Sequence, residues 1–243
     1  MCVKLLKKGF YMKDKKLLTL FLVNAFFLIE TIVTDILYMI KGNAYVFKTI
    51  ASATFVLCAM VNLILVFVFK YASNKKFVIF LFVGQVFAML GDILLIDHFI
   101  IGAVLFAIGH IFYFVSYCCL KPFKWLDLAF IFGAIGVSLC IIFASKIDLN
   151  DQMPLILGYA IIISCMLGKS ATLFLDNAKI ASIIFAGSLM FYLSDMFLMF
   201  TIFSSMGRVG SILCLAFYYP AEYILATSIS AVSLIKKGEK NDQ

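Results

Sequence analysis

The sequence predicts an all-α polytopic membrane protein, a compact bundle of eight transmembrane helices. Of its 243 residues, 65% are hydrophobic and 14% are charged, and the mean hydropathy is +1.11. Soluble domains are roughly half apolar and a quarter charged, so a water-exposed fold could not bury this many apolar side chains. Apolar stretches of roughly 20 residues, the length that spans a bilayer as a helix, recur along the whole chain.

The eight predicted helices follow one another with very short connections. Asp97 and His98 separate the third from the fourth, and residues 176–179 separate the sixth from the seventh. The predicted spans are 17–39, 46–69, 77–96, 100–120, 126–144, 153–175, 180–203 and 209–235.

The basic residues predict the orientation. With eight helices, sixteen of the twenty Lys and Arg side chains fall on the side that carries both termini. Cytoplasmic segments carry such an excess, so we expect both termini in the cytoplasm, with a bacterial cell (inner) membrane as the location. The chain then consists of a basic N-terminal tail (1–16), a transmembrane domain (17–235) and a C-terminal tail (236–243). The net charge of +7 reflects this topology, and nucleic acid is not expected as a partner.

Cysteine and histidine usage does not predict a metal site. The seven cysteines are scattered without Cys-x-x-Cys spacing and are interpreted as small packing residues. Two histidines cannot build a three-histidine zinc site, which argues against zinc-dependent membrane amidohydrolases such as the alkaline ceramidases.

Two aspartates lie deep within apolar segments. Asp92 follows Gly84 by eight residues in the third helix, and Asp195 follows Gly187 by eight residues in the seventh. Both helices run in the same direction, which indicates a 4+4 internal repeat and places the two acids at similar depth. An ionisable group inside a membrane is costly, so a functional role is its default explanation. The pair therefore predicts two carboxyl groups that work together.

A few other polar residues lie in the predicted helices. The small residues Gly84, Ala88 and Gly91 would let a neighbouring helix approach closely and turn Asp92 into the bundle. A purely structural interpretation, in which polar groups pair to fix helix packing, is favoured for Asp35 and Lys48 near a membrane surface. The further intramembrane polar residues are Glu30, His110 and Glu222. Alone, His110 is more typical of a packing residue than of a catalyst.

Several ordered segments resemble the YhhN-type membrane proteins, also called the lysoplasmalogenase family. They are Lys48; Leu90-Gly91-Asp92-Ile-Leu-Leu95; Phe99 to Tyr113 with its Gly-Phe-His-Tyr spacing; Tyr159 with Met166; Leu193-Ser194-Asp195-Met-Phe-Leu198; and Tyr218-Tyr219-Pro220-Ala221-Glu222-Tyr223. The chain departs from the family pattern at Glu222, where Gln is usual, and at Thr49, where Pro is usual.

The resemblance implies cleavage of the vinyl-ether bond of lysoplasmalogen to a fatty aldehyde and glycerophosphoethanolamine or glycerophosphocholine. Such cleavage needs a neutral carboxylic acid that protonates the β-carbon and a carboxylate that stabilises the cation, as in glycosidases. Asp92 and Asp195 would be the catalytic pair. The implied substrate-binding residues are Lys48, His110, Tyr113, Tyr159, Tyr219 and Glu222. No metal or organic cofactor is implied, and the partners are the lysophospholipid substrate and membrane lipids.

Within this resemblance, Lys48 is expected to hold the phosphate of the substrate as a point charge. A lysine that merely anchors its helix at the membrane interface is the simpler interpretation of the same residue. The two aspartates and four aromatic or acidic side chains are expected around one internal cavity, with His110, Tyr113, Tyr219 and Glu222 in its wall.

Three other functions stay open at this point. A proton- or ion-coupled transporter also uses intramembrane acids, although the small size of the chain weighs against it. An intramembrane aspartyl protease uses two helix-borne aspartates, but the Tyr-Asp motif is absent and Met89 breaks Gly-x-Gly-Asp. A non-enzymatic lysolipid binder of the same family would not need both aspartates.

Overall fold

The computed structural model describes residues 15–41, 44–72 and 74–241, and all regular secondary structure within these ranges is helical. The helices are α1 (Lys15–Lys41), α2 (Ala44–Val68), α3 (Lys75–Leu94), α4 (Phe99–Leu120), α5 (Trp125–Ala144), α6 (Met153–Thr172), α7 (Ala178–Phe203) and α8 (Gly207–Asn241). All eight are long and apolar enough to cross a membrane. The predicted fold class is confirmed, and the chain is an integral membrane protein. Most of the predicted N-terminal tail lies outside the described residues.

The helix ends follow local capping chemistry. The side chain of Asn74 accepts the backbone N–H of Phe77, and that of Asn177 accepts the N–H of Lys179 and Ile180. Such caps satisfy backbone donors that have no partner in the first helical turn. The largest difference from the predicted spans is at α8, which continues to Asn241 rather than 235. Hydropathy marks only the apolar part of a helix, whereas Lys- and Glu-rich sequence can extend it into water.

Glycines bring α3 and α4 into close contact. A Cβ atom at Gly84 would meet the Tyr113 ring, and one at Gly102 would lie 2.6 Å from the Cα of Leu95. In the second half of the chain, a Cβ at Gly187 would lie 2.8 Å from Cδ2 of Leu225 on α8. These contacts confirm that the small-residue face of α3 is a packing face, as expected for close helix pairs in membranes.

The helix packing repeats between the two halves of the chain. The pairs α1–α2, α2–α3 and α3–α4 correspond to α5–α6, α6–α7 and α7–α8, and the pair α4–α6 corresponds to α8–α2. Two further contacts, α1–α8 and α3–α8, have no such counterpart. Asp92 and Asp195 each lie seventeen residues after the first residue of their helices. The predicted repeat therefore matches most of the observed helix pairs.

The outer surface of the bundle is apolar and its interior holds many polar groups. Large side chains such as Phe21, Phe26 and Ile29 on α1 are more than half exposed, as expected for a face that contacts lipid.

The described cysteines are all free thiols, and Cys2 lies outside the described residues.

One buried ion pair joins α5 and α6 at the end away from the two aspartates. The Lys169 ammonium lies 2.7 Å from Oδ2 of Asp127, and both side chains are almost completely buried. Asp127 also accepts the backbone N–H of Lys124 at 2.7 Å. Lys169 is one of the sixteen basic residues that the sequence assigns to the side of the termini, yet it is buried in a structural ion pair. Because a buried unpaired charge is costly, this pair ties the α4–α5 connection to α6.

Candidate active site

Asp92 accepts from three side chains of two neighbouring helices. The ammonium of Lys48 on α2 lies 2.9 Å from Oδ1. The hydroxyls of Ser52 on α2 and Tyr219 on α8 donate to Oδ2 at 2.5 and 3.1 Å. Asp92 and Lys48 are 4% and 8% exposed, so protein atoms cover most of their surface. Both carboxyl oxygens thus have protein donors, an arrangement that suits a negatively charged carboxylate.

Asp195 has different partners. The Tyr159 hydroxyl of α6 donates to Oδ2 at 2.5 Å, and Nε2 of His110 on α4 lies 3.2 Å from the same oxygen. His110 Nε2 also lies 2.8 Å from the Tyr159 hydroxyl, so the three groups form a triangle. Both contacts are on Oδ2, and the described side chains make no hydrogen bond to Oδ1. No lysine or arginine among them pairs with this carboxyl group.

The tautomer of His110 follows from its surroundings. The imidazole is fully buried, and its Nδ1 has no hydrogen-bond partner in the described part of the chain. The ring packs edge-on against Phe191, with 4.6 Å between ring centroids. A proton on Nε2 uses the contacts to Tyr159 and Asp195, whereas a proton on Nδ1 would point into apolar surroundings. The Nε2–H tautomer is therefore the one that fits.

The two aspartates line one cavity of about 100 Å³, which we call the reaction cavity. Its wall is made of Tyr38, Lys48, Asp92, Leu95, Phe106, Ser194, Asp195, Leu198, Thr201, Ser211, Cys214, Leu215 and Tyr218. A water molecule needs only about 10–15 Å³ of such volume, so the cavity can hold several waters next to both carboxyl groups. Asp92 and Asp195, which the sequence analysis expected at one cavity, thus both line it.

A second cavity of about 50 Å³, the apolar cavity, adjoins the first. Both are lined by Leu95, Phe106, Asp195 and Leu198. Apart from Asp195 and Tyr159, the apolar cavity is lined by apolar side chains of α4, α6 and α7 and by Leu95, which directly follows α3. Asp195 therefore lies where a polar space meets an apolar one.

Four residues expected in the cavity wall lie behind it. His110 and Tyr219 contact the aspartates from outside the reaction cavity. Tyr113 and Glu222 bond to each other, with the tyrosine hydroxyl donating to Oε2 at 2.8 Å. Gln85 donates to the backbone carbonyl of Glu222 at 3.0 Å. Glu222 is fully buried, and its Oε1 has no partner within the described residues.

The structure shows which groups Lys48 and Tyr159 contact, which the sequence did not predict. The Lys48 ammonium belongs to the ion pair with Asp92, and its expected contact with a phosphate stays a prediction. Asp35, considered above as a structural partner of Lys48, is buried, and its Oδ1 has no partner among the described groups. Tyr159 lines the apolar cavity and bonds Asp195.

Sequence reasoning did not identify Ser52, Tyr38 and Ser194 as site residues. For Ser52 a signal was available, because it follows Lys48 by four residues and therefore shares its helix face. Tyr38 comes from α1, where no motif marks it. No group of His, Cys, Asp and Glu in the described ranges could hold a metal ion.

Comparison with known protein families gives one match. The model of the YhhN family matches residues 45–229, about three quarters of the chain, which includes α2 to α7 and most of α8. Comparisons with curated proteins and with solved structures gave no match. Both aspartates and all their hydrogen-bond partners lie inside the matched segment.

Proposed function

We propose that this chain, which belongs to the YhhN family, is an integral-membrane hydrolase that cleaves the vinyl-ether bond of lysoplasmalogens. The products are a fatty aldehyde and glycerophosphoethanolamine or glycerophosphocholine. One observation carries the proposal: Asp92 and Asp195 line the same cavity, which has room for several waters, and that cavity adjoins an apolar one. A lysoplasmalogen is divided in the same way, since its polar glycerol end and its apolar chain meet at the vinyl ether.

In this proposal Asp195 is the proton donor. Its Oδ2 is held by Tyr159 and His110, so Oδ1 is the oxygen that can carry a proton towards the substrate. Transfer of this proton to the β-carbon of the vinyl ether breaks the carbon–carbon double bond and leaves an oxocarbenium ion. Asp195 becomes a carboxylate, which the Tyr159 hydroxyl and the His110 Nε2–H stabilise by hydrogen bonds.

Asp92 is the carboxylate of the resting state in this mechanism, and it takes up and returns one proton during the reaction. Its charge, fixed by Lys48, stabilises the oxocarbenium ion across the cavity. A cavity water adds to the cationic carbon, and its proton passes to Asp92, giving a hemiacetal. In the collapse of the hemiacetal, Asp92 returns that proton to the leaving glycerol oxygen. Asp195 accepts the hemiacetal hydroxyl proton, so both carboxyl groups regain their starting states.

The test is direct product analysis. Purified protein is incubated with lysoplasmenylethanolamine and, in parallel, with its saturated-ether analogue, and the products are identified by mass spectrometry. Aldehyde from the vinyl ether alone is the expected result, because the saturated ether has no double bond to protonate. A solvent deuterium isotope effect on aldehyde release is expected as well, since proton transfer to carbon is the first chemical step.

The competing functions give different results in the same preparation. Protein that binds both lipids but releases no aldehyde would be a lysolipid binder and would overturn the hydrolase proposal. Proton-dependent uptake of a solute into proteoliposomes, without aldehyde release, would identify a transporter instead.

A further inference from the structure

We infer that Arg208, at the start of α8, binds the phosphate of the lysolipid, an inference that rests on the proposed function. In α8 the reaction cavity is lined by Ser211, Cys214, Leu215 and Tyr218. Arg208 precedes Ser211 by three residues and Leu215 by seven, so helical periodicity places it on the same side of α8. Long helical side chains lean towards the helix N-terminus, so we expect the guanidinium beyond the Ser211 end of the cavity.

The charge of Arg208 is available for a ligand. It is the single arginine of the chain, and its side chain is exposed. The ion pairs found among the described residues use Lys48, Lys121, Lys169 and His110, and none uses Arg208. A guanidinium presents a rigid fork of N–H donors that matches phosphate oxygens, and it stays charged at any physiological pH.

Lys48 is the alternative phosphate ligand, and its geometry makes it the poorer one. Its ammonium is 8% exposed and already lies 2.9 Å from the Asp92 carboxylate. A phosphate at Lys48 would enter next to that carboxylate, and the two anions would repel each other at short range. Arg208 lies in the first turn of α8 and is not among the hydrogen-bond partners of either aspartate.

The distance along α8 fits a glycerophospholipid. Ser194, the residue before Asp195, contacts Cys214 across the α7–α8 interface, with 3.4 Å between oxygen and sulfur. Cys214 follows Arg208 by six residues, which is about 9 Å along the helix axis. In a lysoplasmalogen the glycerol backbone separates the vinyl ether from the phosphate by a distance of this order. A substrate with its vinyl ether at Asp195 can therefore bring its phosphate level with the first turn of α8, within the length of the Arg208 side chain.

Equilibrium binding of two non-hydrolysable lipids tests the inference. The ligands are the saturated-ether lysophosphatidylethanolamine and the alkylglycerol with the same chain, which lacks the phosphate. Each is titrated against wild-type protein and the variants Arg208→Gln and Arg208→Lys in the same detergent. Lys146→Gln is the matched control, because Lys146 lies in the α5–α6 connection and lines neither cavity.

The expected result is selective. In Arg208→Gln the Kd for the phospholipid should rise about tenfold or more, the usual effect of losing a hydrogen bond to a charged group. The Kd for the alkylglycerol should stay unchanged, and Arg208→Lys should recover part of the loss. An equal loss for both lipids, no loss, or an equal effect of Lys146→Gln would overturn the inference.

The same variants separate this inference from the hydrolase proposal. Binding is measured with lipids that cannot react, so the phosphate contact is tested even if no aldehyde forms from lysoplasmenylethanolamine. If aldehyde does form, Arg208→Gln should raise KM about tenfold for the phospholipid with kcat nearly unchanged, the pattern of a lost ground-state contact. A fall in kcat at constant KM would instead place Arg208 in the chemistry and contradict the inference.

Discussion

The two aspartates occupy corresponding places in the two halves of the bundle, yet their surroundings differ in charge. Asp92 on α3 is contacted from α2 and α8, and Asp195 on α7 is contacted from α6 and α4. By the packing repeat, α2 corresponds to α6 and α8 to α4. One centre holds a lysine in ion-pair contact, and the other holds a tyrosine and a histidine.

This difference shows how a nearly symmetric scaffold can assign two roles to one residue type. An ammonium at Asp92 favours its charged form, whereas hydroxyl and imidazole donors at Asp195 leave one oxygen for a proton. Pairs of carboxyl groups with different environments are the usual basis of acid and base assignments in hydrolases. In this interpretation, the asymmetry of the partners specifies the mechanism, and the symmetry of the helices places both acids at one cavity.

The largest expected effect comes from removing either carboxyl group. Asp195→Asn removes the proton donor and Asp92→Asn removes the anion, so kcat should fall about 10²–10⁴-fold in each. The double variant should be barely slower than either single one, because residues that act as a unit are not additive. Aldehyde release and thermal unfolding are measured on the same preparations. Two folded variants with near-normal aldehyde release would contradict the paired-aspartate mechanism.

Lys48 tests whether the centres truly differ in charge. Lys48→Met leaves the Asp92 carboxylate buried without its cation, which typically costs about 3–5 kcal/mol in folded-state stability. The kcat should fall too, since the anion that stabilises the oxocarbenium ion loses its partner. Adding Asp92→Asn should restore much of the stability but none of the activity. If Lys48→Met alone is as stable as wild type, the ion pair is not the essential difference between the two centres.

Tyr159 tests the other centre with a smaller expected effect. Tyr159→Phe removes the 2.5 Å hydrogen bond to Asp195 and leaves that carboxylate less stabilised after proton transfer. We expect kcat to fall about ten- to hundredfold with little change in KM, because a hydrogen bond to a charged group contributes about 1.5–3 kcal/mol.

The matched control for Tyr159 is Tyr192→Phe. Tyr192 is also a buried tyrosine, but its hydroxyl lies 2.7 Å from Ser138, away from both cavities. It should lose some stability and keep its activity. Equal losses of kcat in the two variants would show that Tyr159 acts through packing alone.

The sequence predicted the helices well because bilayer thickness constrains them directly. Apolar length located all eight helices, and the equal spacing of Gly84 and Asp92, Gly187 and Asp195 predicted equal depth for the acids. The partners of the acids were harder to predict. Which helix faces which is decided by side-chain packing between segments far apart in the chain, and a single sequence does not record it.

Lysines show this limit most clearly. Lys48 and Lys169 look alike in the sequence, as cations near helix ends, and hydropathy favours a membrane surface for both. In the fold, Lys48 pairs with a carboxylate of the reaction cavity and Lys169 pairs with Asp127 in a structural contact. The motifs drew attention to the two aspartates, which line one cavity in the fold, but only the tertiary contacts separate a lysine of that cavity from a lysine of the scaffold.

The smallest effect is expected at Glu222, which lies behind the cavity wall and makes no hydrogen bond to either aspartate. It is fully buried without a cation partner in the described residues, and its Oε1 has no donor to accept from. Glu222→Gln keeps an oxygen for the Tyr113 hydroxyl and supplies amide donors in place of the unpaired oxygen. We therefore expect stability within about 1 kcal/mol of wild type and unchanged kcat.

Glu222→Leu is the contrasting variant, because it leaves the Tyr113 hydroxyl buried without an acceptor and should lower stability by about 1–3 kcal/mol. Thermal unfolding of both variants, beside aldehyde release, measures the difference. A large loss of kcat in folded Glu222→Gln would mean that this carboxyl group takes part in the chemistry, and the comparison would then involve three acids rather than two.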